Sequence, residues 1–186
     1  ELGITFLYVT HDQEEALTMS DRIAVMHDGI LEQVDVPKKI YEEPDTRFVA
    51  TFIGETNIFE GYVTKRDESR LSITTETGSI SASAEGFADK EIVAVSVRPQ
   101  RIRYSSEPVE GFTLHAKVRE QIYVGSVIKT IAVLPNGNEV RLEKLAGEET
   151  YTGKPETVYL HWAMEDARVL HSGYNKFYKA VEEPKF

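Results

Sequence analysis

Ile4 to Val9 reads Ile-Thr-Phe-Leu-Tyr-Val, a nearly unbroken run of apolar, β-branched and aromatic residues. Such a run predicts a strand buried on both faces, as in a parallel sheet. Thr10 or Asp12 then caps a helix: Thr10 to Gln13 and Asp12 to Glu15 both have capping-box spacing, and acids crowd the first turn. That helix is expected to end near Ser20. Arg22 to Met26 and Ile30 to Val34 flank His27-Asp28-Gly29, where Asp-Gly supplies the positive φ angles of a tight β-hairpin. Pro37 opens a short helix with its body over Lys38 to Glu43, and Pro44 stops it. Asp45 is expected to cap a further helix with Phe48, Val49, Phe52 and Ile53 on one face and Gly54 closing it.

Beyond about Asn57 the texture changes. Helix signals become rare, and short β-rich segments recur with turn residues between them, the pattern of a small antiparallel sandwich or barrel. Roughly eight to ten strands are expected. They include Phe59 to Thr64, Arg70 to Thr75, Ile80 to Ala84, Ile92 to Val97, Phe112 to Arg119, Val127 to Leu134, Glu139 to Leu145 and Thr157 to Trp162. Pro135-Asn136-Gly137 is the strongest turn, and its Asn-Gly suits a type I′ hairpin. Ser172 to Phe186 is polar with scattered aromatics and reads as a tail or an arm.

Composition narrows the classes. The chain has 186 residues with 41% hydrophobic and 28% charged, the balance of a globular protein that can bury a core. Lys+Arg 21 against Asp+Glu 31 gives a net charge of -10, which repels phosphate backbones and anionic lipid. No nucleic-acid partner and no direct membrane insertion are expected. Cysteine is absent, so thiolate metal sites, disulfides and Cys nucleophiles are excluded. No apolar stretch approaches the ~18 residues of a membrane span. The start, Glu1-Leu2-Gly3-Ile4, has neither an initiator Met nor a signal-peptide layout, so the chain is expected to begin within a longer protein.

His11 is the sharpest candidate for chemistry. It falls just past the expected buried strand and before a capped helix, where open α/β sheets bind ligands at the carboxyl ends of their strands. Position alone leaves open a histidine that only hydrogen-bonds neighbouring loops. A nucleotide hydrolase also needs a Gly-rich loop ending Gly-Lys-[Ser/Thr] and a strand-end acid for Mg²⁺. Gly153-Lys154 is followed by Pro155 and lacks the earlier glycine, and Asp67-Glu68 follows Lys65-Arg66 rather than an apolar strand, so neither pair qualifies. The adjacent acids Glu14-Glu15, Glu42-Glu43 and Glu148-Glu149 diverge along a helix or strand and read as solvated faces. His27, His115, His161 and His171 lack metal-ligand spacing, and no metal site is assigned.

The string Tyr8-Val9-Thr10-His11-Asp12-Gln13-Glu14-Glu15-Ala16, continuing through Met19-Ser20-Asp21-Arg22-Ile23 to Met26-His27-Asp28-Gly29, resembles the switch-histidine segment of ABC importer ATPases. Phe48-Val49-Ala50-Thr51-Phe52-Ile53-Gly54-Glu55-Thr56-Asn57-Ile58-Phe59 resembles the passage from that ATPase domain into its regulatory domain. Gly54 to Phe59 is similar to the spermidine/putrescine (polyamine) branch in particular. Val97-Arg98-Pro99-Gln100, Tyr123-Val124-Gly125-Ser126 and Trp162-Ala163-Met164-Glu165-Asp166-Ala167 resemble the transport-associated OB-like domain. Gln100 stands where relatives usually carry Glu, and Ala163-Met164 replaces a polar-Pro pair, so no site is carried onto them.

The resemblance implies an α+β chain: residues 1–56 as the C-terminal remnant of an α/β ABC ATPase domain, 57–172 as an all-β OB-like regulatory barrel or sandwich, and 173–186 as a tail. It assigns His11 the γ-phosphate contact of the full-length parent. ATP and Mg²⁺ belong to that parent, and this chain alone is expected to hydrolyse no ATP. Implied partners are transmembrane permease subunits, a second ATPase subunit in a homodimer and, indirectly, an extracytoplasmic polyamine receptor, at the cytoplasmic face of a bacterial plasma membrane. Other readings are a sugar, iron or phosphonate importer, an isolated regulatory and dimerisation module, or an OB-like oligonucleotide binder, which the acid excess disfavours. Structural readings cover the later motifs: Arg98-Pro99 a strand end, Gly125 a bulge or turn, Trp162 core.

Overall fold

The computed structural model describes residues 4–147 and 157–172. The chain divides into two compact units at Gly54/Glu55. Gly153-Lys154, Glu148-Glu149 and the tail 173–186 lie outside the described residues.

In the first unit, helix α1 spans Gln13–Met19, strands β1 (Ile23–His27) and β2 (Ile30–Asp35) form an antiparallel hairpin, and helices α2 (Pro37–Glu42) and α3 (Arg47–Phe52) follow. The hairpin turn works as expected, with Asp28 at φ 49 and Gly29 at φ 78. Ile23, Val25, Ile40, Val49 and Ile53 make a small core, with Ala16, Leu17, Tyr41 and Phe48 packed on it. The expected apolar face of α3 divides. Val49 and Ile53 are buried, whereas Phe48 stacks between His27 at 3.8 Å and Phe52 at 5.2 Å.

Two expectations for this unit are corrected. Ile4 to Val9 is not a strand, and Phe6 and Leu7 are 87% and 93% exposed. A strand buried on both faces needs hydrogen-bonded neighbours at both edges, and among the described residues none pairs with this segment. The cap of α3 is Thr46, whose hydroxyl accepts the Val49 N–H at 3.3 Å, rather than Asp45. Asp45 instead donates its N–H to Gln33 Oε1 at 2.9 Å, while Gln33 Nε2 donates to the Glu43 carbonyl at 3.1 Å. The buried carboxamide of Gln33 thereby clamps the α2–α3 connection from both sides.

The second unit is antiparallel throughout its named strands. β3 (Asn57–Asp67), β4 (Arg70–Thr75), β5 (Gly78–Ser83), β6 (Ile92–Val97) and β12 (Ala167–His171) form one five-stranded sheet in the order β12-β6-β3-β4-β5. β7 (Arg103–Ser105), β8 (His115–Val124), β9 (Val127–Val133), β10 (Glu139–Leu145) and β11 (Val158–His161) form another, in the order β10-β9-β8-β11-β7. One core draws on both, including Leu71, Ile73 and Val95 from the first and Ala132, Leu142 and Leu160 from the second. Each buried Leu, Ile or Val side chain among them stabilises the fold by about 1.5–3 kcal/mol. Strands β4, β6 and β10 keep their expected bounds. β7 and β12 are additional to the expected set.

The turn at Pro135-Asn136-Gly137 is a correction in detail. Leu134 accepts the Gly137 N–H and donates to the Asn138 carbonyl, both at 2.9 Å, and only Gly137 takes a positive φ, 88°. A type I′ turn requires positive φ at both central residues. Pro135 fixes its own φ near −65° and suits the second position of a type I turn, so the loop closes over three residues with Gly137 in the left-handed position.

Candidate functional site

His11 lies in the turn between the extended segment 4–10 and α1, with its side chain exposed. The turn is held on both sides of it. Asp12 is the N-cap, its Oδ1 accepting the N–H groups of Glu14 at 2.9 Å and Glu15 at 3.1 Å. The Asp12 N–H donates to Thr10 Oγ1 at 2.9 Å. Glu15 Oε2 accepts both the Tyr8 and the Thr10 hydroxyls, each at 3.1 Å. The ring is thus presented by a loop whose neighbours are bonded to one another, an arrangement suited to meeting a ligand from solvent.

The Asp12-to-Glu15 spacing pointed to a capping box, in which Glu15 would accept the Asp12 N–H. Thr10 takes that N–H instead, which frees the Glu15 carboxylate to bridge the two hydroxyls before His11. The sequence gives Gln13 only its capping-box spacing from Thr10. Its Oε1 accepts the Gly54 N–H at 2.9 Å, joining the first residue of α1 to the end of α3. No local spacing signals this bond, because its partners are 41 residues apart.

The remaining singled-out residues are structural in their surroundings. Asp67 ends β3 and Glu68 follows in the β3–β4 turn with φ 48. His27 lies 3.6 Å from carboxylate oxygens of both Asp28 and Glu32. Arg98 follows β6, is buried and donates to the Glu55 carbonyl at 3.1 Å. Gly125 turns β8 into β9 with φ 62. Trp162 is core: its ring stacks on Phe59 at 5.1 Å, meets Phe112 edge-on at 5.1 Å, and its Nε1 donates to the Ser81 carbonyl at 3.1 Å.

His161, on β11 opposite Arg103 on β7, titrates below the ordinary histidine range. Burial of the ring is the main cause, and the positive charges of Arg103 and Lys144 add to it. At the end of β12, His171 Nδ1 meets Glu91 Oε1 at 2.6 Å with its ring stacked on Phe87 at 4.5 Å. Among the described residues, no three His, Asp or Glu side chains gather as a metal site, and no helix is long and apolar enough to cross a membrane.

Residues 95–170 match the family model of the TOBE domain. The chain is 37% identical over 180 residues to the spermidine/putrescine import ATP-binding protein PotA of Trichodesmium erythraeum, covering 91% of this chain and 47% of that protein. It is 46% identical over 140 residues to the protein of the same name from Roseobacter denitrificans, covering 74% and 38%. With that of Rubrobacter xylanophilus it shares 44% identity over 175 residues, covering 91% and 46%. The chain therefore spans less than half the length of these relatives. In fold, a crystal structure of the cytoplasmic molybdate-binding protein ModG superposes with a TM-score of 0.52 over 62% of this chain and 96% of that one, at 12% identity. That likeness speaks to the fold alone.

Proposed function

We propose that this chain, which belongs to the family of spermidine/putrescine import ATP-binding proteins, is the C-terminal part of the ATPase subunit of an ABC importer, carrying the switch histidine and the regulatory barrel. His11 is the residue that meets the γ-phosphate of ATP in the assembled subunit. The observation that carries this reading is the exposed His11 ring on a loop braced by Asp12, Thr10 and Glu15. An exposed imidazole N–H can donate to a phosphate oxygen and lose that partner when the phosphate leaves.

Toward ATP this chain contributes that one group. The acid that would hold Mg²⁺ and the loop that would cradle the phosphates belong to the rest of the subunit, so residues 1–56 act as the final portion of the ATPase domain. The exposed apolar run Ile4 to Val9 supports this: its composition is that of a strand awaiting neighbours on both sides. The 57–172 barrel serves regulation and pairing, and two such subunits act as a homodimer on a pair of permeases at the cytoplasmic face of the membrane. The cargo is a polyamine delivered by an extracytoplasmic receptor, a reading supported by the relatives' names and by the passage Gly54 to Phe59.

The experiment is ATP turnover by the full-length subunit with and without His11→Ala. A large loss of turnover with ATP binding retained supports the reading, and unchanged turnover refutes it. Cargo is tested separately by polyamine uptake in cells carrying the importer, against sugar, iron and phosphonate uptake.

A further inference from the structure

Ile53 donates its N–H to the Val49 carbonyl at 2.9 Å, and Gly54 follows with φ 76, where a helix ordinarily turns the next N–H back onto its own last carbonyls. The Gly54 N–H donates to the side chain of Gln13 at 2.9 Å. Gln13 is the first residue of α1, two residues after His11. α1 is seven residues long and contains no buried residue, and beyond its Asp12 cap the side chain of its first residue is bonded to the end of α3.

Gly54 is also the last residue of the first unit, and its peptide carbonyl is bonded to Glu55. Within the second unit Glu55 is gripped twice: its carbonyl accepts Arg98 Nη1 at 3.1 Å, and its Oε1 meets Arg141 Nη1 at 3.2 Å. A hydrogen bond at 2.9 Å weakens steeply with displacement, so a shift of the start of α1 would open it.

We propose that Gln13 is a coupling residue, joining the loop that carries His11 to the Gly54 peptide and so to the first residue of the barrel. The proposal rests on the reading of His11 as the phosphate-contacting histidine. When His11 gains or loses its phosphate, the start of α1 shifts, the Gln13–Gly54 bond forms or opens, and the change reaches Glu55 through one peptide bond. Gln13 touches no reacting atom, and its role is positional.

The test is amide exchange at Gly54 in the full-length subunit, with and without bound ATP, for the wild type, Gln13→Met, Gln13→Glu and His11→Ala. Met keeps the length of the side chain without a strong acceptor, and Glu keeps the acceptor. In the wild type, Gly54 exchange is expected to differ by about fivefold between the ATP-bound and ATP-free states, as loss of one ordinary hydrogen bond implies. Gln13→Met removes this difference, whereas Gln13→Glu retains it. His11→Ala removes the response to ATP. Equal exchange in wild type and Gln13→Met, or no ATP dependence in the wild type, overturns the coupling. If His11→Ala hydrolyses ATP at the wild-type rate, the reading of His11 fails, and with it the coupling. If His11→Ala is inactive yet Gln13→Met responds to ATP as the wild type does, only the coupling fails.

Discussion

The carboxamide of Asn57 serves the backbone of Arg141 in both directions: its Oδ1 accepts the Arg141 N–H at 2.8 Å, and its Nδ2 donates to the Arg141 carbonyl at 2.8 Å. Asn57 opens β3 and Arg141 sits on β10, strands of different sheets. A third bond runs from Nδ2 to the Val97 carbonyl at 3.3 Å. One side chain thus substitutes for a strand neighbour along β10.

Asn57→Ala removes all three bonds and leaves Arg141 without these partners. The expected cost is about 2–3 kcal/mol, the sum of ordinary net hydrogen bonds plus a desolvation penalty. A urea titration followed by Trp162 fluorescence measures it, since the chain has a single tryptophan. A midpoint equal to that of the wild type would contradict the role given to Asn57.

Trp162 separates packing from hydrogen bonding. Trp162→Phe keeps an aromatic ring against Phe59 and Phe112 but leaves the Ser81 carbonyl without its indole partner, at an expected cost of about 1–3 kcal/mol. Trp162→Ala also opens a cavity and costs about 3–5 kcal/mol. Thermal melts followed by circular dichroism should rank wild type above the Phe variant and that above the Ala variant. A Phe variant as unstable as the Ala variant would assign the loss to the hydrogen bond alone.

Histidine 161 gives the barrel a pH dependence of definite sign. Its folded-state pKa lies below the ordinary value because burial, Arg103 and Lys144 all disfavour the charged ring. The unfolded chain therefore takes up a proton at higher pH than the folded one. Stability is unaffected by this group above the ordinary histidine range, and it falls as pH drops from that range toward the folded pKa. His161→Gln should flatten that part of the stability profile. An NMR titration of the ring with a midpoint at or above the ordinary value would refute the assignment.

Much of the barrel was legible because its strands alternate and its turns carry Gly or Pro. Arg70–Thr75, Ile92–Val97 and Glu139–Leu145 appear with the bounds that their patterns imply. Strand β7, Arg103–Ser105, is three residues long and too short to show a period. Strand β12 turns Ala167 and Val169 into the core, yet its start lies inside the Trp162-to-Ala167 passage, which hides its period. Ile4 to Val9 shows the converse. Its composition states a preference that only neighbouring strands can satisfy, and composition cannot say whether they are present.

The candidate site was legible in one residue and not in its supports. His11 stood out through the motif around it. Glu15 and Gln13 act through partners that no local rule selects: two hydroxyls just before the turn for one, and a backbone N–H far along the chain for the other. Asn57 and Gln33 were likewise silent in sequence, because a carboxamide that clamps backbone looks the same as one facing water.

His11 is the residue through which the assembled subunit meets the γ-phosphate in the proposed function. The direct measurement is the steady-state ATP turnover of the full-length protein bearing His11→Ala, alongside its affinity for ATP. A loss on the order of a hundredfold in turnover with ATP binding kept is the predicted result, as for removal of a positioned donor to developing charge. Turnover equal to the wild type would contradict it.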